Sequence, residues 1–432
     1  ALRWASRSAE SGCGAGEAAL GWLLYHGVGA PRDYPEAARL LTLAAEKGER
    51  RGLDVLARCH FFGRGVAENR AEAMRYWQRA AEAGAATAMF ACGLCLYSGE
   101  GIGADRERAV AWFRAAAGQG LSGAMFMLGQ CHFFGVGGVV DRAAGIEWYR
   151  RAAEAGSREA AYELGEVHAT GRDGGHADLH EALRWWRQAG RLGHARACLK
   201  IAHCYRWGDG VPEDKPLALA WYRRAVNAGD TQANVWLGEC LEHGIGAHAD
   251  SVLAVAHYRA AANAGDAHGL AELGRCTLHG IGTNADPDAG EAMLKSAAET
   301  GWSSALGELE RHWFARGERL LNGHPAKAEQ AVHCYRKAAE LGHRRAALML
   351  AECLRHGVGG APDLTQAVVW YRKAATLFDA KIALGDMYFF GWGVAKSERE
   401  ALRWYEQAVA QHEDAYAMYS LGFCLMYGQG TK

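Results

Sequence analysis

Apolar and small residues recur along this chain at helical spacing, in short stretches separated by glycine-rich turns. Residues 73–81, for example, place alanine, tyrosine, tryptophan and two further alanines at i, i+3, i+4, i+7 and i+8. That spacing forms one stripe on an α-helix and predicts an amphipathic helix with one buried face. Gly84 follows the stretch and predicts its end, because glycine enters the left-handed conformation at C′ without a Cβ clash.

Glycines of this kind keep a fixed period. Those that close one type of stretch lie 36 or 37 residues apart, with a last interval of 41: Gly12, Gly48, Gly84, Gly120, Gly156, Gly193, Gly229, Gly265, Gly301 and Gly342. A second series lies between the two stretches of each unit: Gly27, Gly63, Gly99, Gly135, Gly171, Gly208, Gly244, Gly280, Gly357, Gly391 and Gly428. Such a period is typical of a chain built from copies of one supersecondary unit. The sequence therefore predicts about eleven copies of a helix A, a glycine-rich turn and a helix B, stacked on one another.

Each predicted helix has a characteristic centre. Helix B carries a pair of large side chains, which we expect to supply much of the packing energy. These pairs are Tyr76-Trp77, Trp112-Phe113, Trp148-Tyr149, Trp185-Trp186, Trp221-Tyr222, Trp370-Tyr371 and Trp404-Tyr405. Helix A carries a mid-helix glycine such as Gly129, although glycine there costs about 1 kcal/mol relative to alanine. We expect the close approach of a neighbouring helix backbone to compensate for that cost.

One unit, at residues 302–342, departs from the pattern. Residues 302–321 lack the Gly-x-Gly turn and predict one longer helix that Asn322-Gly323 ends. Pro325 then suits the first turn of the next helix B. The sequence leaves open whether this unit is a hinge or a binding site.

The repeated motif resembles that of a known family. Leu128-Gly129, Gly135-Val136-Gly137 and the segment from Trp148 to Gly156 are similar to the Sel-one-like repeat, and the resemblance extends over essentially the whole chain. It implies an all-α fold, an α/α superhelical solenoid related to tetratricopeptide repeats. It also implies a role as an adaptor or scaffold for other proteins. None of the residues that characterise the family is catalytic, so the resemblance implies a shape and no active site.

Length and charge narrow the organisation further. We expect a single continuous array over residues 1–432, because a repeat overrides the several domains that this length would otherwise suggest. With 48 basic and 49 acidic residues the net charge is −1, which does not favour nucleic acid or an anionic membrane. No apolar run is long enough to span a bilayer. The chain starts within a predicted helix B and stops within a predicted turn, so we expect both natural ends to lie outside it.

The twelve cysteines predict buried thiols rather than disulfides. Eight of them share one core position of helix A, three residues after the consensus leucine: Cys59, Cys95, Cys131, Cys204, Cys240, Cys276, Cys353 and Cys424. Neighbouring helices lie about 8–10 Å apart, whereas a disulfide needs Cα atoms within about 7 Å. A secreted, cysteine-rich branch of the resembled family bridges helix B to the next helix A, but here helix B supplies almost no cysteine. That difference favours a reducing compartment, and we expect a cytoplasmic location.

Several patterns imitate chemical motifs. Glycine-rich turns such as residues 135–138 follow a helix, whereas a dinucleotide site needs a preceding strand. Cys92 and Cys95 have the spacing of a redox pair, yet both occupy apolar positions inside helix A. His176 and His180 are two potential ligands, which do not make a zinc site.

A histidine also precedes the turn glycine in several repeats. These histidines belong to different repeats, too far apart to bind one metal, and we expect a solvated or capping role: His26, His243, His279 and His356. The sequence therefore predicts no catalytic residue, no metal site and no cofactor.

The strongest functional signal is a surface of helix A. The third, sixth and seventh residues counted from the consensus leucine lie opposite the core stripe, and helix A lines the concave side of the related solenoids. The candidate partner-binding residues are Trp22, Tyr25, Phe61, Phe62, Tyr97, Phe133, Phe134, Arg206, Trp207, Arg355, Phe389 and Phe390. These positions predict a groove with an aromatic first third, a charged and histidine-bearing middle that includes Glu242 and Glu352, and an aromatic end at residues 386–390 and 423–427. Exposed aromatics gathered on one face are typical of a partner site, although one aromatic of each pair could instead pack onto the next repeat.

The sequence as a whole favours a non-enzymatic adaptor that binds a protein segment, helical or extended, on the concave helix A face. A structural component built permanently into a large multiprotein assembly is the alternative, with contacts spread over outer and edge surfaces. In either case we expect protein partners, no nucleic acid and no membrane insertion.

Overall fold

The computed structural model describes residues 1–100, 103–172, 174–323, 327–412, 414–428 and 430. These residues form 24 helices, α1 to α24, and no strand. The all-α repeat predicted from the sequence is therefore confirmed. The chain divides into two compact units, Ala1–Ala233 and Asn234–Lys432, and each is described by itself.

In the first unit, helix A and helix B alternate along the chain. The helices A are α2 (Gly14–His26), α4 (Leu53–Phe62), α6 (Ala86–Ser98), α8 (Ser122–Phe134), α10 (Arg158–Thr170) and α12 (Ala195–Trp207). The helices B are α1 (Leu2–Glu10), α3 (Tyr34–Glu46), α5 (Arg70–Glu82), α7 (Arg106–Gly118), α9 (Arg142–Glu154), α11 (Leu179–Arg191) and α13 (Lys215–Asn227). Each helix packs most closely on the helix before it and the helix after it, so the unit is a succession of helical hairpins.

The second unit has the same alternation. Its helices A are α14 (Gln232–His243), which begins in the last residues of the first unit, α16 (Ala267–His279), α18 (Ser304–Gly323), α20 (Arg344–His356), α22 (Phe378–Phe390) and α24 (Ala415–Met426). Its helices B are α15 (Ser251–Asn263), α17 (Pro287–Glu299), α19 (Ala328–Glu340), α21 (Leu364–Lys373) and α23 (Glu398–Gln411).

Local chemistry sets the ends of these helices. Most helices B begin at an aspartate N-cap, as at Asp141, whose Oδ1 accepts the backbone N–H of Ala144 at 2.9 Å. A cap of this kind stabilises a helix by about 1 kcal/mol. Every glycine of the two predicted series has a positive φ, such as 89° at Gly84 and 72° at Gly135. The predicted helix ends are therefore confirmed.

The mid-helix glycine of helix A makes room for a ring. A Cβ added at Gly129 would lie 2.4 Å from Cδ1 of Tyr149, the second member of the helix B pair in the same unit. Gly165 stands in the same relation to Trp186, and Gly385 to Tyr405. At Gly129 the expected backbone approach is present, with the Gly145 carbonyl oxygen 3.2 Å from the added Cβ. At all three positions, however, the nearest atoms belong to an aromatic side chain. That side chain is buried, with Tyr149 only 1% exposed.

A different glycine joins successive hairpins of the first unit. The second glycine of the Gly-x-Gly turn lies against the start of the preceding helix B. A Cβ at Gly65 would be 2.1 Å from the carbonyl oxygen of Tyr34, the first residue of α3. Only glycine allows this contact, since it also requires the positive φ of 78° found at Gly65.

The irregular unit contains the long helix that the sequence predicts. Helix α18 runs from Ser304 to Gly323, 20 residues, and therefore includes Asn322 and Gly323, which were expected to end it. Pro325 lies outside the described residues. The helix also has the glycine-to-ring contact, although this unit lacks the Gly-x-Gly turn. A Cβ at Gly317 would lie 2.7 Å from Cε1 of Tyr335 in α19. Leu309 and Trp313 of α18 are buried with Tyr335 in the core of the second unit.

We predict that His312 of α18 makes the stability of the second unit depend on pH. Burial lowers the pKa of His312 to about 4 from an ordinary 6.5, and the nearby His279, Arg316 and Arg319 act in the same direction, opposed by Glu308. The unfolded chain therefore binds a proton more readily than the folded chain between these values. The contribution of neutral His312 to the free energy of unfolding is therefore fully present above about pH 6.5 and is lost as the pH falls towards 4.

The measurement is the urea midpoint of the second unit at pH 7.5, 6.5 and 5.5, in the natural chain and in His312→Phe. Below pH 6.5 the stability of the variant should fall less steeply than that of the natural chain. If both proteins show the same pH dependence, His312 is not the titrating group.

Candidate partner-binding surface

The last two residues of helix A, just before the turn glycine, point in different directions. In α8, Phe133 is 6% exposed, whereas Phe134 is 59% exposed. The ring centroid of Phe133 lies 6.0 Å from that of Tyr149 in α9. Adjacent residues of a helix are separated by about 100°, so when the first aromatic of the pair packs against helix B, the second projects outwards. The sequence left open whether one aromatic of each pair packs onto the next repeat. In α8 one of them, Phe133, does pack inwards, but against helix B of its own repeat.

The twelve predicted residues fall into three groups by exposure. The exposed ones are Trp22, Phe62, Phe134, Trp207 and Phe390. The half-buried ones are Phe61, Tyr97, Arg355 and Phe389. The buried ones are Tyr25, Phe133 and Arg206, at 5%, 6% and 9% exposure. These last three residues were expected on the surface. They offer a partner almost no accessible side-chain area, because neighbouring groups cover them.

The acidic positions of helix A make internal contacts in the second unit. The hydroxyl of a helix B tyrosine donates to a helix A carboxylate in four hairpins: Tyr258 to Glu242 at 2.9 Å, Tyr335 to Glu318 at 2.6 Å, Tyr371 to Glu352 at 2.7 Å and Tyr405 to Asp386 at 2.8 Å. Burial raises the pKa of each tyrosine, and the neighbouring carboxylate raises it further. These carboxylates therefore join helix A to helix B. Two of these acids, Glu242 and Glu352, belong to the charged middle that the helix A pattern predicts, so that part of the predicted surface is paired inside the unit.

Arg275 of α16 extends one of these contacts into a buried network. Its guanidinium donates to Oε2 of Glu242 at 2.6 Å and to Oε2 of Glu272 at 2.8 Å. The side chain of Glu242 is only 7% exposed and that of Arg275 is 22% exposed. Two carboxylates, one guanidinium and the Tyr258 hydroxyl thus satisfy one another inside the second unit.

A cavity of about 580 Å³ opens among the first three helices A of the first unit. Its lining includes Tyr25, His26, Arg32, Arg58, Phe62 and Arg64, and it continues along α6 at Phe90 and Leu94. We call it the arginine cavity. Three of the predicted site residues, Tyr25, Phe61 and Phe62, line it, whereas Trp22 and Tyr97 do not.

Arg64 is the feature of this cavity that the sequence did not reveal. It lies in the turn after α4, and its Nη1 donates to the Tyr25 hydroxyl at 2.8 Å. Its guanidinium carbon lies 4.9 Å from the ring centroid of Phe62 and 5.5 Å from that of Tyr34. Helix positions alone could not identify a turn residue, although a basic residue at the centre of the turn Gly63-Arg64-Gly65 was a visible signal.

A second, smaller cavity lies in the other unit, between α22 and α24. It measures about 250 Å³ and is lined by aromatic side chains that include Phe389, Phe390, Tyr419 and Phe423. Phe390 and Tyr419 are also among the exposed large apolar residues. The predicted aromatic end of the helix A surface is thus accessible in this unit.

Two kinds of chemical motif in the sequence, metal ligands and reactive cysteines, can be compared with the structure. No group of three or more His, Cys, Asp or Glu side chains among them could hold a metal ion. The eight cysteines of the shared helix A position are buried, as predicted. Burial raises the pKa of Cys59 to about 11 and of Cys92 to about 12, so these thiols are not nucleophilic thiolates at neutral pH. No helix in the described part of the chain is both long and apolar enough to cross a membrane.

Comparison with known families identifies the repeat. Twelve segments of the chain match the Sel1 repeat, whereas the glycine period predicts about eleven units. They span residues 14–49, 55–84, 86–121, 122–157, 158–194, 195–230, 231–266, 267–301, 314–343, 344–377, 378–412 and 415–432.

Solved structures show the same architecture. The crystal structure of c5321, a protective antigen of uropathogenic Escherichia coli strains with an SLR fold, matches 99% of this chain and 91% of its own at 28% identity, with a TM-score of 0.64. A Sel1 repeat protein from Oxalobacter formigenes matches 56% of this chain and 97% of its own at 28% identity, with a TM-score of 0.50. Among curated proteins, chitin synthase regulatory factor 3 of Schizosaccharomyces pombe is 30% identical over 114 residues. That match covers 25% of this chain and 12% of the length of the yeast protein.

Proposed function

The chain belongs to the Sel1 repeat family, and from that membership we propose that it is a non-enzymatic adaptor that binds a protein segment on the helix A surface. Proteins of this family generally mediate protein–protein interactions and are generally non-catalytic. The yeast relative bears the name of a regulatory factor for an enzyme, which agrees with action through another protein. Because the match covers only 12% of that relative, it supports a mode of action and no particular target.

The observation that carries the proposal is the repetition of an exposed aromatic at one helical position. Phe62, Phe134 and Phe390 each end a helix A and are 55%, 59% and 53% exposed. Large apolar side chains cost free energy in water, and residues of this type dominate the energetics of protein interfaces. Cys59, Cys131 and Asp386 of the same helices are buried, whereas the three outward aromatics remain available to a partner.

Two further features belong to the proposal. We propose one continuous array, since the repeat match over residues 231–266 includes the boundary between the two compact units. We also propose a reducing compartment, the cytoplasm. Buried cysteines that form no disulfide, such as Cys59 and Cys131, support it, because a chain that folds in an oxidising compartment tends to pair its cysteines.

We predict that replacing Phe62, Phe134 and Phe390 together by serine abolishes partner binding without unfolding the chain. Exposed side chains contribute little to stability, within about 0.5 kcal/mol each, whereas interface aromatics often contribute about 2 kcal/mol or more to binding. The measurement compares proteins captured by the immobilised natural chain and by the variant, with quantification by mass spectrometry. Circular dichroism and thermal unfolding establish that both chains are folded.

A matched control replaces three other exposed apolar residues by serine: Val139, Leu192 and Val252, which are 89%, 44% and 70% exposed and lie outside the helix A position. The control should keep the partners that the aromatic variant loses. Equal loss in both variants would favour contacts spread over the outer surfaces, as expected of a component of a permanent assembly.

A further inference from the structure

The arginine cavity combines apolar walls with an excess of positive charge. Phe62 and Leu94 remain 55% and 38% exposed along its wall. Arg32, Arg58 and Arg64 also line it, and no aspartate or glutamate of the described part of the chain does. Its volume of about 580 Å³ lies within the range of about 300–1,000 Å³ typical of sites that hold a ligand-sized group.

Two of the three arginines have no acidic partner among the residues that the structure describes. Arg64 donates to the Tyr25 hydroxyl at 2.8 Å, and Arg32 donates to the carbonyl oxygen of His26 at 3.4 Å. Both acceptors are neutral. The third, Arg58, forms an ion pair with Asp54 at 2.9 Å.

The neighbouring groups keep this charge in place. The ring faces of Tyr25, Tyr34 and Phe62 surround the Arg64 guanidinium at 5.7, 5.5 and 4.9 Å, which orients it without neutralising it. His26 contributes no charge at neutral pH, because burial lowers its pKa and Arg58 and Arg32 lower it further. A guanidinium held in this way has free N–H groups for the bidentate recognition of a carboxylate.

We propose that the arginine cavity binds an acidic peptide segment, in which two carboxylates pair with Arg32 and Arg64 and an aromatic or leucine side chain packs against Phe62 and Leu94. This inference rests on the proposed adaptor function and names the chemistry of the partner. The inference rests on charge complementarity. Two guanidinium groups without an acidic partner among the described residues lie beside exposed apolar walls, in a chain with a net charge of only −1. A nucleic acid is less suited, because phosphate binding draws on a long basic surface and this chain is balanced in charge.

The test selects ligands without assuming their sequence. A phage library of random dodecapeptides is selected on the immobilised full chain, and the enriched peptides are synthesised for fluorescence anisotropy. We expect peptides with a net negative charge and at least one aromatic residue or leucine. Their affinity should fall about tenfold or more in Arg32→Gln/Arg64→Gln, in line with the loss of charge-assisted hydrogen bonds. It should also weaken as salt rises from about 50 to about 300 mM.

The matched control is Arg75→Gln/Arg108→Gln, which removes the same charge from exposed arginines of α5 and α7 and should bind as the natural chain does. Arg32→Gln alone guards against a folding defect, because Arg32 is an exposed loop residue, and it should weaken binding by a smaller factor. Thermal unfolding of every variant accompanies the binding data.

Three results would overturn the inference: neutral or basic peptides among those enriched, no enrichment at all, or equal affinity in the natural chain and the arginine variant. Tighter binding of a single-stranded deoxythymidine oligonucleotide, lost in the arginine variant, would assign the cavity to nucleic acid instead. Enrichment of neutral peptides that Phe62→Ser abolishes would refute the acidic ligand and leave the adaptor function supported. Loss of natural partners that is equal in the aromatic and the control serine variants would count against the adaptor function itself.

Discussion

Replacement of Tyr149 by alanine is expected to destabilise the first unit by about 3–5 kcal/mol, the usual cost of removing a large aromatic side chain from a packed core. Tyr149 is 1% exposed, and its ring lies between helices α8 and α9, with the ring centroid of Phe126 at 5.8 Å. The expected loss can be measured by urea unfolding. Because each repeat contacts mainly its neighbours, hydrogen exchange should increase first in residues 122–154.

Gly129, which faces Tyr149, allows a test of whether the mid-helix glycine makes room for the ring. Gly129→Ala places a Cβ about 2.4 Å from Tyr149 Cδ1, so the variant should lose about 1–3 kcal/mol through overpacking, even though alanine favours a helix by about 1 kcal/mol. In Gly129→Ala/Tyr149→Ala the ring is gone, and the remaining close contact of the methyl group is the Gly145 carbonyl oxygen at 3.2 Å. The double variant should therefore lose at least about 1 kcal/mol less than the sum of the single losses.

Gly307 of α18 provides the control for this pair. A Cβ added there would meet only the end of the Arg311 side chain, at 3.7 Å, which is an ordinary contact. Gly307→Ala should be neutral or slightly stabilising. Additive losses at Gly129 and Tyr149, or a loss at Gly307 as large as that at Gly129, would contradict the role of the mid-helix glycine as space for a ring.

Arg275→Met is expected to destabilise the second unit by about 3–5 kcal/mol, because it leaves the buried Glu242 carboxylate without its cationic partner. The Tyr258 hydroxyl still donates to Glu242 but carries no charge. The measurement is the urea unfolding free energy at neutral pH, followed by tryptophan fluorescence and circular dichroism.

A second substitution separates the buried charge from lost packing. Glu242→Gln added to Arg275→Met removes the unpaired charge and keeps a hydrogen-bonding group opposite Tyr258, so it should restore part of the stability. Arg403→Met is the control, since Arg403 pairs with Glu400 at 3.0 Å on the surface, where the two side chains are 64% and 39% exposed. An exposed pair of this kind contributes about 0–1 kcal/mol. A loss in the control equal to that in Arg275→Met would mean that burial does not set the strength of the Arg275 network.

The surface is where sequence and structure differ most. The helical pattern placed Phe133 and Phe134 together on the face opposite the core, yet the structure buries the first and exposes the second. The same pattern assigned Glu352 to the charged middle of a groove and Asp386 to its aromatic end, whereas both carboxylates accept a hydrogen bond from a helix B tyrosine, Tyr371 and Tyr405 respectively. Both differences arise because a residue near the edge of the buried stripe is covered or exposed according to where the facing helix lies.

The sequence by itself determined the repeat unit, its period, the two helices of each unit, most of the ends of those helices and the presence of one long helix in the irregular unit. It could do so because these features depend on local causes, namely the spacing of apolar residues and the conformational freedom of glycine. Only the tertiary structure decided which aromatics face outwards, which acids are paired internally, and that Arg64 joins Arg32 and Arg58 in one cavity. These depend on how separate helices and turns lie against one another, and the helical period does not contain those distances.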